Sequence, residues 1–308
     1  EDDALMIELG KSHDLNEKGR WRVIGLTLET RPDYITLKEI AHMRRLGCTK
    51  VELGVQTIYD DVQDLNNRGH HTDAVIRASR MLREAGFKIS YHMMPNLFGS
   101  TPERDVAMFA ALFDGPRFQP DHLKIYPCLV VKEAKLFKLF EEGKYVPYSD
   151  EVMFETLLQC KLRVAPYCRI SRLMRDIPST SIKGGLETTN IREGLQRALK
   201  ERGLVCRCIR CREARNATVD LNGAILVRRE YLAGGEDVAT AGGEDQKTAG
   251  REIFLSYETP DQSKIFAFVR LRIPQYVLNT ASVLPADDVV SVLPELAGCA
   301  HIRELHTY

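Results

Sequence analysis

The sequence predicts an α/β chain: a series of parallel βα units followed by a smaller α+β region. Three observations carry that prediction. Short apolar runs begin near residues 22, 51, 88, 122 and 168, each flanked by a helical pattern, and such a series forms a parallel sheet or barrel through right-handed crossovers. Polar groups gather at the C-terminal ends of these runs, where parallel α/β folds place their ligands. Beyond residue 216 hairpin-like strands replace the βα alternation.

Taken in order, residues 1–21 are polar with some helical character, and no element is assigned there. Arg22–Thr30 reads as a strand. Thr36–Leu46 reads as a helix, with Thr36 as N-cap, Glu39 as its capping-box partner and Gly47 as the stop. Strand Val51–Val55 and helix Asp73–Ala85 follow, the helix stopping at Gly86. Lys88–Met94 is a strand, and Thr101 caps a helix at Pro102–Phe113 with proline at its first position. Strand His122–Pro127, helices near Glu133–Glu142 and Asp150–Arg163, and strand Cys168–Leu173 complete the series. Five units are fewer than the eight of a closed barrel, so the sheet is either open or begins partway round. One more helix, Ile191–Arg202, leads to a cysteine cluster. Val219–Tyr231, Ile253–Glu258 and Ile265–Ile273 are strands, and the Gly-, Ala- and acid-rich stretch Ala233–Gly250 reads as a disordered loop. The organisation is therefore 1–185, 186–216 and 217–308.

Composition bounds the function. The 308 residues are 44% hydrophobic and 28% charged, ordinary for a globular chain. No apolar run approaches the roughly 20 residues of a membrane span, and the acidic start Glu1-Asp2-Asp3 has no signal-peptide character. Eight cysteines, three of them clustered, argue against a secreted disulfide framework and for a reducing compartment, by default the cytoplasm. Net charge is zero, yet residues 161–215 hold 14 Lys/Arg against five Asp/Glu. Such asymmetry suggests an acidic partner, nucleic acid first; a solvated basic helix face is the plainer alternative.

Two tandem segments stand out, Thr27-Leu28-Glu29-Thr30-Arg31-Pro32-Asp33 and Val51-Glu52-Leu53-Gly54-Val55-Gln56-Thr57. Glu52 interrupts an apolar run, and a charge on a strand buried on both faces is costly unless paired or bound to something. The polar loop containing His70 and His71 has no cysteine nearby, so it reads as an inert or substrate-touching loop before it reads as a metal site. Cys206, Cys208 and Cys211 place three thiolates within six residues, enough to converge on one Zn²⁺ that takes four ligands. Cys128, a histidine or a water could complete the tetrahedron. Cys48, Cys160, Cys168 and Cys299 read as ordinary buried cysteines.

These segments, together with Tyr91-His92-Met93-Met94-Pro95-Asn96, Leu123-Lys124-Ile125-Tyr126-Pro127-Cys128, Arg172-Leu173-Met174-Arg175-Asp176-Ile177-Pro178 and Cys206-Arg207-Cys208-Ile209-Arg210-Cys211, resemble the catalytic subunit of the Elongator complex. The resemblance runs in order over about residues 22–308. It implies a partial radical S-adenosylmethionine (SAM) barrel, a basic zinc-binding linker and a truncated GNAT-like acetyltransferase domain. It further implies modification of the tRNA wobble uridine at C5 with acetyl-CoA. SAM is cleaved there to a 5′-deoxyadenosyl radical, which takes hydrogen from the acetyl group. The cysteines for the 4Fe-4S cluster and the acetyl-CoA loop are expected outside this chain.

The resemblance puts Glu29, Arg31, Glu52, Gln56, His92, Asn96, Lys124 and Tyr126 at the barrel mouth for SAM. An ion pair of Glu29 with Arg31 or Lys124 is the structural alternative. The basic block would serve the tRNA anticodon stem-loop through Arg169, Arg172, Arg175, Lys183, Arg192, Arg197, Lys200, Arg207, Arg210 and Arg212. Elongator-type subunits or a second copy are the other partners implied. A tRNA-binding scaffold and a protein (histone) acetyltransferase are the competing functions; a basic surface repels a lysine-rich tail.

Overall fold

The computed structural model describes residues 2–186, 190–215, 223–235, 249–278 and 288–308. Helix α1 (Asp2–Lys18) precedes strand β1 (Leu26–Thr30), helix α2 (Leu37–Arg45), strand β2 (Cys48–Gln56) and helices α3 (Asp60–Leu65) and α4 (Thr72–Glu84). Then come β3 (Lys88–Met93), α5 (Pro102–Ala111), β4 (His122–Ile125), β5 (Val130–Val131), α6 (Leu136–Glu141), α7 (Asp150–Leu162) and β6 (Arg169–Leu173). The series closes with β7 (Ile182–Gly184), α8 (Ile191–Glu201), the short α9 (Ile209–Arg212), β8 (Ile225–Ala233), β9 (Gly250–Glu258), β10 (Ile265–Ile273), α10 (Gln275–Leu278) and β11 (His301–Thr307).

Local chemistry sets the helix ends. The Thr36 hydroxyl accepts the Glu39 N–H at 3.2 Å, and Thr101 and Ser149 cap α5 and α7 in the same way at 3.3 Å. Gly47 and Gly86 turn the chain out of α2 and α4 at φ +78° and +80°, where a Cβ is disfavoured. Strands β1, β2, β3, β4 and β6 form one parallel sheet in chain order. Every crossover thus steps in the same direction, as in a barrel wall, with no reversal of strand order. The first strand starts at Leu26 instead of Arg22, because its ladder with β2 begins there. The predicted Val219–Tyr231 strand starts, within the described residues, at Ile225. Residues 236–248 of the predicted loop lie outside the described residues. The small antiparallel pair β5–β7 and helix α3 add to the elements read from sequence.

The second sheet is antiparallel, in the order β11-β10-β9-β8. Its polarity is inverted. On β10, Arg270 and Arg272 are fully buried while Val269 and Leu271 are only half-buried; on β11, Arg303 is buried while Ile302 and Leu305 are exposed. The arginines point at the N-terminal ends of the parallel strands. Arg303 forks onto Asp121 with 2.6 and 2.7 Å hydrogen bonds, donates to Glu252 at 2.8 Å and to the Phe87 carbonyl at 2.8 Å. Arg270 reaches Glu304 at 2.8 Å and Asp121 at 3.5 Å, and Arg272 pairs with Glu84. Asp121 also accepts the Ile89 N–H at 2.9 Å. Burial alone would raise the Asp121 carboxyl, but Arg303 and Arg270 hold it well below the usual carboxylate range. Around this lock the apolar core is continuous, from Val51 and Ile89 of the parallel sheet to Phe254 and Phe268 of the antiparallel one.

Removing one partner of a buried pair leaves an uncompensated charge. Asp121→Asn therefore lowers unfolding free energy by about 3 to 5 kcal/mol, read from denaturant midpoints; a loss below about 1 kcal/mol would mean that Arg303 and Arg270 are satisfied without it.

Candidate functional site

The C-terminal ends of the parallel strands stay open. A cavity of about 500 Å³ lies there, lined by residues from six segments. Glu29, Thr30 and Arg31 come from the end of β1, Gly54 and Gln56 from β2, His92 and Met94 from β3, and Tyr126, Pro127, Leu129 and Val131 from β4 and its continuation. Arg175 and Ile177 follow β6, and Arg68 comes from the loop between α3 and α4. One side is apolar (Met94, Pro127, Leu129, Val131, Ile177) and one is cationic (Arg31, Arg68, Arg175).

The cationic side is made by close packing at β2. Gln56 adopts φ +67°, a left-handed conformation that costs energy for a residue with a side chain. A Cβ at Gly54 would meet the Gln56 amide nitrogen at 3.1 Å and the Arg68 guanidinium at 3.3 Å, so glycine lets both lie across the strand end. Arg68 donates to the Gly54 carbonyl at 3.0 Å. Its Nε and the Gln56 Oε1 are buried without a hydrogen-bond partner among the described residues. Arg31 already forks onto Asp33 at 2.6 and 3.0 Å. Arg175 lies over the Tyr126 ring, 5.7 Å from its centroid. Arg68 is the residue that motif reading passed over. Its signal was the polar loop Asn66–His71, whose two histidines do not form a metal site: His70 contacts the Arg68 carbonyl at 3.3 Å and His71 contacts Asp64 at 2.8 Å.

Glu52 and Lys124 stand behind this wall. Glu52 is 3% exposed and accepts from His92 Nε2 at 2.7 Å, from Lys50 at 3.0 Å and from Lys124. His92 Nδ1 faces Glu29 at 3.3 Å, so Glu29 pairs with an imidazole and not with Arg31 or Lys124. Glu29, Glu52 and His92 come within 4.8 Å of one another, but the two lysines already occupy the Glu52 carboxylate. Burial would raise that carboxyl; hydrogen bonds from His92, Lys124 and Lys50 outweigh it and hold it well below its ordinary range. Asn96 needs correction as a cavity residue. At φ +69° and 1% exposed, it gives its N–H to Asp105 at 2.7 Å and accepts from Tyr145 and Tyr148 at 2.7 and 3.2 Å, bracing the loop after β3.

The residues of the basic block differ in exposure and in partners. Arg197, Lys200 and Arg207 are exposed, and exposed Lys183 donates to the Thr180 carbonyl. Arg172 pairs with Asp176, while Arg169 and Arg210 pair with Glu213. Arg192 is half-buried, bonded to the Ile170 carbonyl at 3.3 Å. Arg212 is corrected: only 4% exposed, it is pinned by Glu258 at 2.9 Å and the Arg207 carbonyl at 2.8 Å, too enclosed to face a polyanion.

The sulfurs of Cys206, Cys208 and Cys211 lie within 4.8 Å of one another. Cys128 lies elsewhere, against Val62 and Leu97, and is not the fourth ligand. Cys48, Cys160 and Cys168 are buried as expected, but Cys299 is exposed.

A depressed carboxyl gives a stated pH dependence. Glu52 lies below its ordinary value of 4.5 when folded, so its contribution is complete above that value and is lost as pH falls through the depressed one. The stability gap between wild type and Glu52→Gln is therefore widest at neutral pH and narrows toward about pH 3 in denaturant titrations. A gap independent of pH would remove Glu52 from this role.

Known proteins share this chain's sequence and fold. The radical SAM superfamily model matches residues 3–111, and the radical SAM C-terminal domain model matches residues 120–201. A tRNA uridine(34) acetyltransferase of Methanocaldococcus jannaschii is 39% identical over 278 residues, 88% of this chain and 48% of that protein. Elongator complex protein 3 of Danio rerio is 36% identical over 302 residues, 95% of this chain and 50% of that protein. The solved archaeal Methanocaldococcus infernus Elp3 with an N-terminal deletion superposes with TM-score 0.84 at 36% identity, covering 97% of this chain and 65% of that one. The chain thus spans about half the length of the curated relatives it matches. With identity sustained along nearly its whole length and the same fold, the chain is a homologue of tRNA uridine(34) acetyltransferases and Elongator complex protein 3 and carries radical SAM domain sequence over residues 3–111 and 120–201.

Proposed function

We propose that this chain is the SAM- and RNA-handling part of an enzyme that modifies the wobble uridine of tRNA. The observation that carries the reading is the strand-end cavity, where Arg68 and Gln56 present buried polar atoms with no protein partner among the described residues. Such atoms are costly to leave unmade and suit the charged amino-acid end of SAM. The apolar side formed by Met94, Leu129 and Val131, with the Tyr126 ring, suits a flat nucleoside. In this reading Arg68, Gln56 and Arg31 bind and orient the ligand. His92, held by Glu52, fixes the rim carboxylate Glu29. SAM bound there supplies radical chemistry on one-electron reduction. No cysteine lines the cavity among the described residues, so these residues do not themselves hold an iron–sulfur cluster.

Zinc fits the three converging thiols, and residues 186–216 then form a metal-pinned linker between a barrel (1–185) and an acetyltransferase-type sheet (217–308). Modification at C5 and use of acetyl-CoA rest on the family and on the names of its members. The tRNA anticodon stem-loop is the RNA proposed, and Arg175, exposed and lining the cavity, would meet a phosphate of the entering nucleotide. Elongator-type subunits or a second copy are the protein partners proposed. Among the described residues no helix is long and apolar enough to cross a membrane.

Arg68→Gln weakens SAM binding to the cluster-loaded full-length protein by roughly ten- to a hundredfold, the worth of one charge-assisted hydrogen bond. Calorimetry checks it, and unchanged affinity removes SAM from this cavity. Arg197→Glu with Lys200→Glu weakens tRNA binding and lowers the log–log salt slope by about one for each phosphate no longer neutralised. Equal affinity and slope would make the α8 surface a solvated face.

A further inference from the structure

Lys161 is completely buried near the end of α7, and among the described residues it has no carboxylate partner. Its ammonium lies 3.6 Å from Cys211 Sγ, and its own carbonyl accepts the Cys206 S–H at 3.4 Å. A buried ammonium without a counter-ion is among the costliest groups a core can hold. The buried cations of the two-sheet lock, Arg83, Arg270, Arg272 and Arg303, each have a carboxylate within reach. Lys161 is provided with sulfur instead.

We propose that Lys161 is the counter-ion of a metal–thiolate centre at Cys206, Cys208 and Cys211, a positioning residue that sets the affinity of the site for a divalent ion. The inference rests on the zinc reading above. Metal ligation requires thiolates. Three thiolates around a divalent ion leave one net negative charge, which one ammonium cancels. A neutral fourth ligand, such as water, would keep that charge balance. Arg192, half-buried and bonded to the Ile170 carbonyl, is a second positive charge near the three thiols, but among the described residues it is Lys161 whose charged nitrogen touches a sulfur.

The test uses the full-length protein and zinc alone as the probe. Zinc affinity is measured by competition with a chromophoric chelator for wild type, Lys161→Met, Lys161→Gln and Lys161→Arg. Thermal unfolding of each is followed with and without bound zinc. The methionine and glutamine variants should lose roughly ten- to a hundredfold in zinc affinity, as removal of an outer-shell partner does. The arginine variant, which keeps the charge, should lose less. The two neutral variants should be less stable than wild type only when zinc is bound. In the zinc-free proteins the difference should vanish or reverse, because an uncompensated buried charge has been removed. A purely structural lysine would destabilise both states equally and leave the affinity unchanged, and either result overturns the proposal. Wild-type protein that takes up no zinc overturns the zinc reading itself, and this inference with it.

Discussion

The fork between Arg303 and Asp121 is the constraint on which the architecture depends. It joins a strand of the antiparallel sheet to the N-terminal end of a parallel strand, with both side chains fully buried. Ions in such a place cost several kcal/mol each unless every lone pair and proton finds a partner. Here Asp121 answers two arginines and a backbone N–H, while Arg303 answers two carboxylates and a carbonyl. The geometry tolerates little displacement, so the two sheets are held in one relative position. Closing the N-terminal ends in this way leaves the C-terminal ends of the parallel strands as the open face.

At that face, paired and unpaired polar groups have different tasks. Glu52, the most conspicuous charge in the sequence, is saturated by His92, Lys50 and Lys124, and Asn96 is saturated by its own loop. These residues hold the wall in shape. Arg68 and Gln56 keep polar atoms without partners among the described residues, Gln56 in a strained backbone and both beside a glycine that admits them. Unmet hydrogen-bonding capacity, more than charge as such, marks where a ligand would complete the structure.

The cysteine segment links the two halves. Ile209 donates its N–H to the Cys168 carbonyl at the start of β6, and Arg212 reaches Glu258 on the antiparallel sheet. Ala214 then donates to the Ile265 carbonyl. A metal at the thiols would fix the short helix α9 between these attachments, which is the mechanical use of a small chelate where the chain has few apolar residues.

Periodicity and capping determined the parallel half. Thr36, Thr101, Gly47 and Gly86 each act where their chemistry requires, since caps and left-handed turns depend on immediate neighbours alone. The spacing of Cys206, Cys208 and Cys211 likewise foretold that the sulfurs would meet. Tertiary structure decided the rest. The alternation Val269-Arg270-Leu271-Arg272 would by itself turn its arginines to solvent, and they are buried because Asp121, Glu84 and Glu252 wait on the other side. Whether Arg212 faces an RNA or a carboxylate, whether Glu52 holds a ligand or two lysines, and which loop residue reaches the cavity depend on partners far away in the chain. Glu52 and Lys124 are 72 residues apart, and Arg303 and Asp121 are 182 apart. A local pattern can report that a charge is buried, but only the packing of distant segments supplies the group that compensates it.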